Sequence, residues 1–152
     1  MQIFNVKEYG ATGHKDQAAQ QAIQATIDAC AVAGGGMVYF PPGAYTSGTI
    51  HLKSYVRIFI EIGATIYSSK DVTTYDEKAL FYGEDLEHIT IEGRGVINGQ
   101  AEYEWRLSDH DDRYIIDNQR RMEALGKPLM RPFPTENSIG NLLLLKRCKD
   151  VL

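Results

Sequence analysis

Residues 55–61 (YVRIFIE) laid over residues 86–92 (LEHITIE) put Ile58 on Ile89, Ile60 on Ile91 and Glu61 on Glu92; the same offset carries Ile66 onto Ile97. Each copy runs through a Gly-bearing turn (Gly63; Gly93 and Gly95) into another short strand. Such a repeat narrows the fold, because stacked coils of a solenoid place like residues on like and bury the alternate ones as a continuous column. A β-sandwich can also produce one such coincidence, so the repeat alone leaves both architectures open.

The surrounding pattern favours stacked strands. A short apolar strand is expected at residues 3–6, and alternating apolar residues mark further strands at Val38 and Phe40, at Ile50 and Leu52, and at Val56, Ile58 and Ile60. Pro41-Pro42-Gly43 reads as a turn, since Pro presets φ and Gly accepts positive φ. Residues 16–33 instead place Ala19, Ile23, Ile27 and Cys30 along one helical stripe, with Asp16 as N-cap and Gly34 as the left-handed stop. Gly34-Gly35-Gly36 follows this helix, whereas a phosphate-cradling loop precedes one, so it reads as a helix stop. Placed before the repeats, the helix suits the covering of an end coil, whose backbone and apolar side chains otherwise face water. Residues 142–145 read as a strand, Cys148-Lys149-Asp150 as a turn, and Val151-Leu152 as a strand cut off in mid-coil. The chain is therefore expected to be the N-terminal part of a longer domain.

The 152 residues, 43% of them hydrophobic, suit one domain or a piece of one. A net charge of -4, a pI near 5.5 and scattered Lys and Arg argue against a nucleic-acid or anionic membrane partner. No apolar run approaches the ~18 residues of a membrane span, and the start lacks a secretory signal pattern. A cytoplasmic location is expected if Met1 is the native start, and a secreted or periplasmic one otherwise. Cys30 and Cys148 are far apart and read as core cysteines.

FNVKEYGA (4–11), the helix with Ala22-Ile23-Gln24, GGGMVYFPPG (34–43), SGTIHLKS (47–54), EIGATI (61–66) and GVINGQ (95–100) together resemble the opening of family 28 glycoside hydrolases. These are the polygalacturonases and relatives of the pectate-lyase-like superfamily. The resemblance covers most of the chain, and it implies an all-β fold: a right-handed parallel β-helix with an N-terminal capping α-helix at about 16–33 and coils from about 37. It implies inverting hydrolysis of galacturonate-containing glycans, with no cofactor and no metal. The same entry pattern is similar to that of other β-helical proteins, including non-catalytic carbohydrate-binding or structural modules. A β-eliminating lyase using Ca²⁺ is a third reading. Thr12-Gly13-His14-Lys15-Asp16-Gln17 departs from the family's acidic stretch before the helix. Its catalytic signature of Asn-Thr-Asp, paired Asp, Gly-His-Gly and Arg-Ile-Lys, taken as a set, is absent. The resemblance places those motifs on later coils, so no catalytic residue is assigned here and the chain alone is expected to be inactive.

Residues 100–137 break the strand rhythm and read as a long excursion with a helix near 117–125. Asp109, Asp111, Asp112, Glu102 and Glu104 read there as a solvated acidic surface rather than as the ~6.5–9.5 Å carboxyl pair of an inverting enzyme. His110 with Asp111 or Asp112 offers too few convergent ligands for a metal. Arg113, Arg120, Arg121 and Arg131 are the substrate candidates, since a guanidinium grips a uronate carboxylate bidentately. Trp105, with neighbouring Tyr103, is a candidate for sugar stacking, the other reading of this aromatic pair being a packing anchor. His51 and His88 are expected to face outward, and Asn98 to be structural.

Overall fold

A computed structural model describes residues 1–101, 109–127 and 140–152, and the side chains of 1–101, 117–127 and 140–152. The chain divides into one compact unit, 1–99 with 139–152, and a second, 100–138.

The first unit is mostly β, and every strand pair in it is parallel. Strands β1 (Ile3–Asn5), β2 (Gly36–Phe40), β5 (Val56–Ile60), β8 (Glu87–Gly93) and β11 (Lys149–Val151) form one sheet in the order β1-β2-β5-β8-β11. A second sheet runs β10-β7-β4, from β4 (Ile50–His51), β7 (Ala79–Glu84) and β10 (Asn141–Lys146). The third runs β3-β6-β9, from β3 (Gly43–Ser47), β6 (Ala64–Ser68) and β9 (Val96–Asn98). The chain visits the sheets in rotation: β2-β3-β4 make one tier, β5-β6-β7 the next, β8-β9-β10 a third, and β11 returns to the first sheet. Two facing antiparallel sheets are thereby ruled out.

Like stacks on like along the inner faces. Val38, Ile58 and Ile91 are in register in the first sheet, Tyr45, Ile66 and Ile97 in the third, and Ile50, Phe81 and Leu143 in the second. Val38, Ile58, Tyr45, Ile66, Ile50 and Phe81 are fully buried, whereas Leu143 stays 46% exposed; each fully buried aliphatic or Phe side chain contributes about 1.5–3 kcal/mol, so the inner members of the columns carry the stability. The register of β8 corrects the repeat. Ile58 faces Ile91 rather than Ile89, while Ile66 does face Ile97. A slip of two residues keeps every inward side chain inward, so the hydrophobic pattern cannot detect it. The slip is taken up at the corner after β8. A Cβ on Gly93 would lie 2.0 Å from the Ile60 carbonyl oxygen, and one on Gly95 would lie 2.1 Å from Ile60 Cγ2. Both Arg94 and Gly95 N–H groups donate to that same carbonyl, at 3.1 and 3.0 Å.

Helix α1 (Gln20–Val32) buries Ile23, Thr26, Ile27 and Cys30 in the common core. Asp16 does not cap it. Ala19 is the N-cap, with no side-chain cap bond, because the preceding backbone is held to β3: Ala18 bridges Thr46, and Ala19 N–H donates to the Thr46 carbonyl at 2.8 Å. The helix stop is a Schellman pair, Gly34 N–H to Ala31 O and Gly35 N–H to Cys30 O, with Gly34 at φ 90°. Gly35 has a second reason to be glycine, since its Cβ would meet the Tyr55 carbonyl oxygen at 2.5 Å.

Other boundaries move. The first strand ends at Asn5, whose side chain accepts from Lys7 N–H and starts a 3₁₀ turn at Val6–Tyr9. The last corner falls on Arg147, and β11 already begins at Lys149. Cys30 is fully buried, its thiol pushed up by desolvation; Cys148 is only half-buried against the core, and both are free.

In the second unit, α2 (Asp109–Ala124) begins well before residue 117, with Asp109, Asp111 and Asp112 in its opening turns, where the helix dipole favours anions.

Candidate functional site

Polar chemistry in the first unit concentrates where the second sheet hands the chain to the first. Asp85 (φ 54°) and Arg147 (φ 50°) occupy equivalent corners of successive tiers, since Glu84 faces Lys146 and Glu87 faces Lys149. Arg147 Nε donates to Asp85 Oδ1 at 2.6 Å and its Nη2 to Oδ2 at 2.8 Å, the fork-to-fork geometry of a guanidinium on a carboxylate. The same Nη2 reaches Glu84, which also accepts from the Tyr82 hydroxyl. Tyr82 and then Arg147 hold the Glu84 carboxyl below the usual range, and Arg147 does the same to Asp85. In return Glu84 pushes the Tyr82 phenol up to about 12.

A second ladder stands beside the first. Tyr55, His88 and Asp150 share positive φ (65°, 55° and 53°) in successive tiers. The Tyr55 and His88 rings lie 5.0 Å apart, and His88 Nε2 is 3.7 Å from Asp150 Oδ2. Tyr55 donates to Glu87 Oε1 at 2.6 Å, and Lys149 Nζ meets Glu87 Oε2 at 2.8 Å. Lys149 and then Tyr55 lower the Glu87 carboxyl. On β4 of the second sheet, His51 Nε2 sits 2.7 Å from Asp76 Oδ2. Burial works to raise that carboxyl, but the His51 hydrogen bond and charge outweigh it and the net shift is downward.

The chemical consequence is uniform. Among the described residues, every carboxyl group whose titration is displaced (Asp71, Asp76, Glu84, Asp85, Glu87) is displaced downward, so each stays an acceptor at neutral pH. A general acid for a glycosidic leaving oxygen needs the opposite shift. These pairs are largely exposed, so they set register more than they add stability. No group of three or more His, Cys, Asp or Glu able to hold a metal occurs among the described residues.

Of the substrate candidates, Arg120 and Arg121 lie exposed in the last turns of α2. Arg113 falls on the same helix, but its side chain lies outside the described residues, as do those of the His110, Asp111 and Asp112 cluster. Trp105 and Arg131 lie outside the described residues altogether, as do Glu102, Tyr103 and Glu104. His51 is half-exposed and His88 exposed, both on outer faces. The corner network was missed in the sequence, although a signal was there: Glu84-Asp85-Leu86-Glu87 and Lys146-Arg147-Cys148-Lys149 are charge mirrors at identical spacing.

The family model described as rhamnogalacturonase A/epimerase, pectate lyase-like, matches residues 3–100. The chain belongs to this family. The polygalacturonase-like resemblance read from its motifs agrees. Within the pectate-lyase-like relatives, a polygalacturonase of Nicotiana tabacum is 20% identical over 98% of this chain and 38% of its own length. Alginate lyase 7 of Azotobacter vinelandii is 40% identical over 70% of this chain and 12% of its own. Among solved structures, the hyperthermoactive exopolygalacturonase of Thermotoga maritima superposes with a TM-score of 0.71 at 22% identity, covering 99% of this chain and 40% of that one. This last likeness concerns the fold. The chain thus spans well under two thirds of the length of these relatives.

Proposed function

We propose that this chain forms the first coils of a right-handed parallel β-helix belonging to a glycoside hydrolase, one that acts on galacturonate-containing glycans with inversion. The observation that carries the reading is coverage. The tobacco polygalacturonase matches 98% of the chain, whereas the alginate lyase, although more identical, leaves nearly a third of it unmatched. A relative that follows the chain through its irregular connection is the better guide to substrate class than one that shares only part of it.

On this reading α1 is the end cap of the coil stack. Its Gln20 amide donates to the Thr49 and Thr74 carbonyls, and its Gln24 exchanges hydrogen bonds with the His51 backbone, which ties it to successive tiers. Arg113, Arg120, Arg121 and Arg131 supply guanidinium groups for uronate carboxylates, and Trp105 a stacking surface. Proton donor and water-activating carboxylate come from outside this chain, so the chain alone releases no product.

Incubation with polygalacturonate, with and without Ca²⁺, is expected to yield neither new reducing ends nor unsaturated ends. Grafting the chain in place of the matching stretch of the tobacco enzyme is expected to retain hydrolysis, with the first product inverted at its anomeric carbon by NMR. Unsaturated ends from the graft, or turnover by the chain alone, would overturn the proposal.

A further inference from the structure

The outer face of the first sheet carries an arrangement that the proposed hydrolysis does not use. Tyr39 and Phe59 are in register on β2 and β5, their rings stacked 6.2 Å apart with 28° between planes. Tyr55 and His88 form the second ring pair, 5.0 Å apart and tilted by 32°. Arg57 and Phe59 point outward from β5, and Tyr55, exposed at the left-handed corner just before that strand, is separated from Phe59 in the chain by Arg57. All four rings are partly or fully open to solvent. The phenols are tied down, Tyr55 to Glu87 at 2.6 Å and Tyr39 to Glu61 at 3.3 Å, so the rings are held in place before any ligand arrives.

We infer that these two ring pairs form a glycan-binding shelf for uncharged sugar rings, separate from any catalytic cleft. The apolar C–H face of a pyranose complements the electron-rich face of an aromatic ring, and a prearranged platform costs little ordering on binding. Charge decides which sugars fit. Arg57 spends Nε and Nη2 on Glu92, and Lys149 is engaged by Glu87. Glu61 and Asp150 at the margins leave no surplus of positive charge to meet a polyanion. The ligand is therefore a neutral stretch, such as methyl-esterified galacturonan, rather than the free uronate. Cross-strand ring pairs also stabilise sheets without any ligand, which is the alternative the test must exclude. The inference rests on the proposed function only in taking the ligand to be a glycan, not in the reaction.

The test is binding of fully methyl-esterified galacturonan oligomers, and of the same oligomers after de-esterification, to the chain by calorimetry. The esterified form is expected to bind more tightly. The double variant Tyr39→Leu/Phe59→Leu keeps apolar side chains but removes the flat rings. It is expected to weaken binding about tenfold while far-UV circular dichroism is unchanged. Tyr39→Phe, which keeps the ring and loses only the hydroxyl tie to Glu61, should weaken binding measurably but less than the Leu variant. Equal affinity in the Leu variant, or tighter salt-sensitive binding of the de-esterified form, overturns the shelf. Neither result bears on hydrolysis by the grafted enzyme, so the two proposals fail separately.

Discussion

Two kinds of connection join the same tiers, and they behave oppositely. Between the second and first sheets the corner stays short: 52–55, 85–86 and 147–148 each pass between strands through one left-handed residue, Tyr55, Asp85 and Arg147. Between the third and second sheets the connection lengthens from 48–49 to 69–78 to 99–140. A corner whose residues stack on their counterparts must repeat its geometry or lose them. A connection that leaves the stack and returns has only its two ends constrained, and closure entropy rises slowly with length. Variation, and with it the room for function, gathers on the second kind.

Strand β7 links the two, beginning where the connection 69–78 ends and finishing at the tight corner, so its core residue should matter most. Phe81→Ala is expected to cost about 3–5 kcal/mol in urea unfolding. A loss under 1 kcal/mol would mean that Phe81 is not packed on Ile50 in the core as described. Next in size is Gly93→Ala, at the corner after β8, where φ is 124° and the added Cβ meets backbone. About 1–3 kcal/mol is expected. The same change at Gly10, where nothing lies within 4 Å, should meet backbone strain without a clash and cost less.

The ionic corner is sharper in its pH dependence than in its size. Folded Glu84 and Asp85 titrate below their ordinary values of 4.5 and 3.8. A carboxyl lowered by folding stabilises the fold fully above its unfolded pKa, and that contribution fades as pH falls through the lower folded value. Thermal midpoints followed from pH 6 down to pH 3 should therefore fall more steeply for the parent than for Arg147→Ala, and the two curves should converge at the acid end. Parallel curves would remove the guanidinium from the account. The smallest effect belongs to the long connection. Halving it with a Gly/Ser link is expected to change closure free energy by only about 0.6 kcal/mol, read from the denaturation midpoint.

Much of the fold was legible because periodicity reports burial. The stripe Ala19, Ile23, Ile27 and Cys30 is buried throughout, as are Val56, Ile58 and Ile60. What escaped notice had physical causes. β7 is buried from Ala79 to Gly83, so it shows no alternation, and β3 offers only Tyr45 as a large apolar residue. The repeat has the right register at Ile66 and Ile97 but is two residues out at Ile58, because a period of two cannot distinguish a slip of two. The start of α2 was hidden by reading an acidic run as a surface loop, when such a run also suits a helix N-terminus. Of the substrate candidates, sequence supplied the residue types but no convergence, since guanidinium groups on an irregular connection carry no spacing rule. The corner's mirrored charges were readable, yet they lie on either side of the long excursion, beyond the reach of any local pattern.

The central claim is that the chain returns from 99–140 to lay β10 and β11 parallel and in register on β7 and β8. Scalar couplings across hydrogen bonds, measured by NMR on labelled protein, test it directly. The account predicts couplings from the Asp85 amide to the Lys146 carbonyl and from the Lys149 amide to the Leu86 carbonyl. Close Hα–Hα contacts between β7 and β10, the mark of antiparallel pairing, would contradict it.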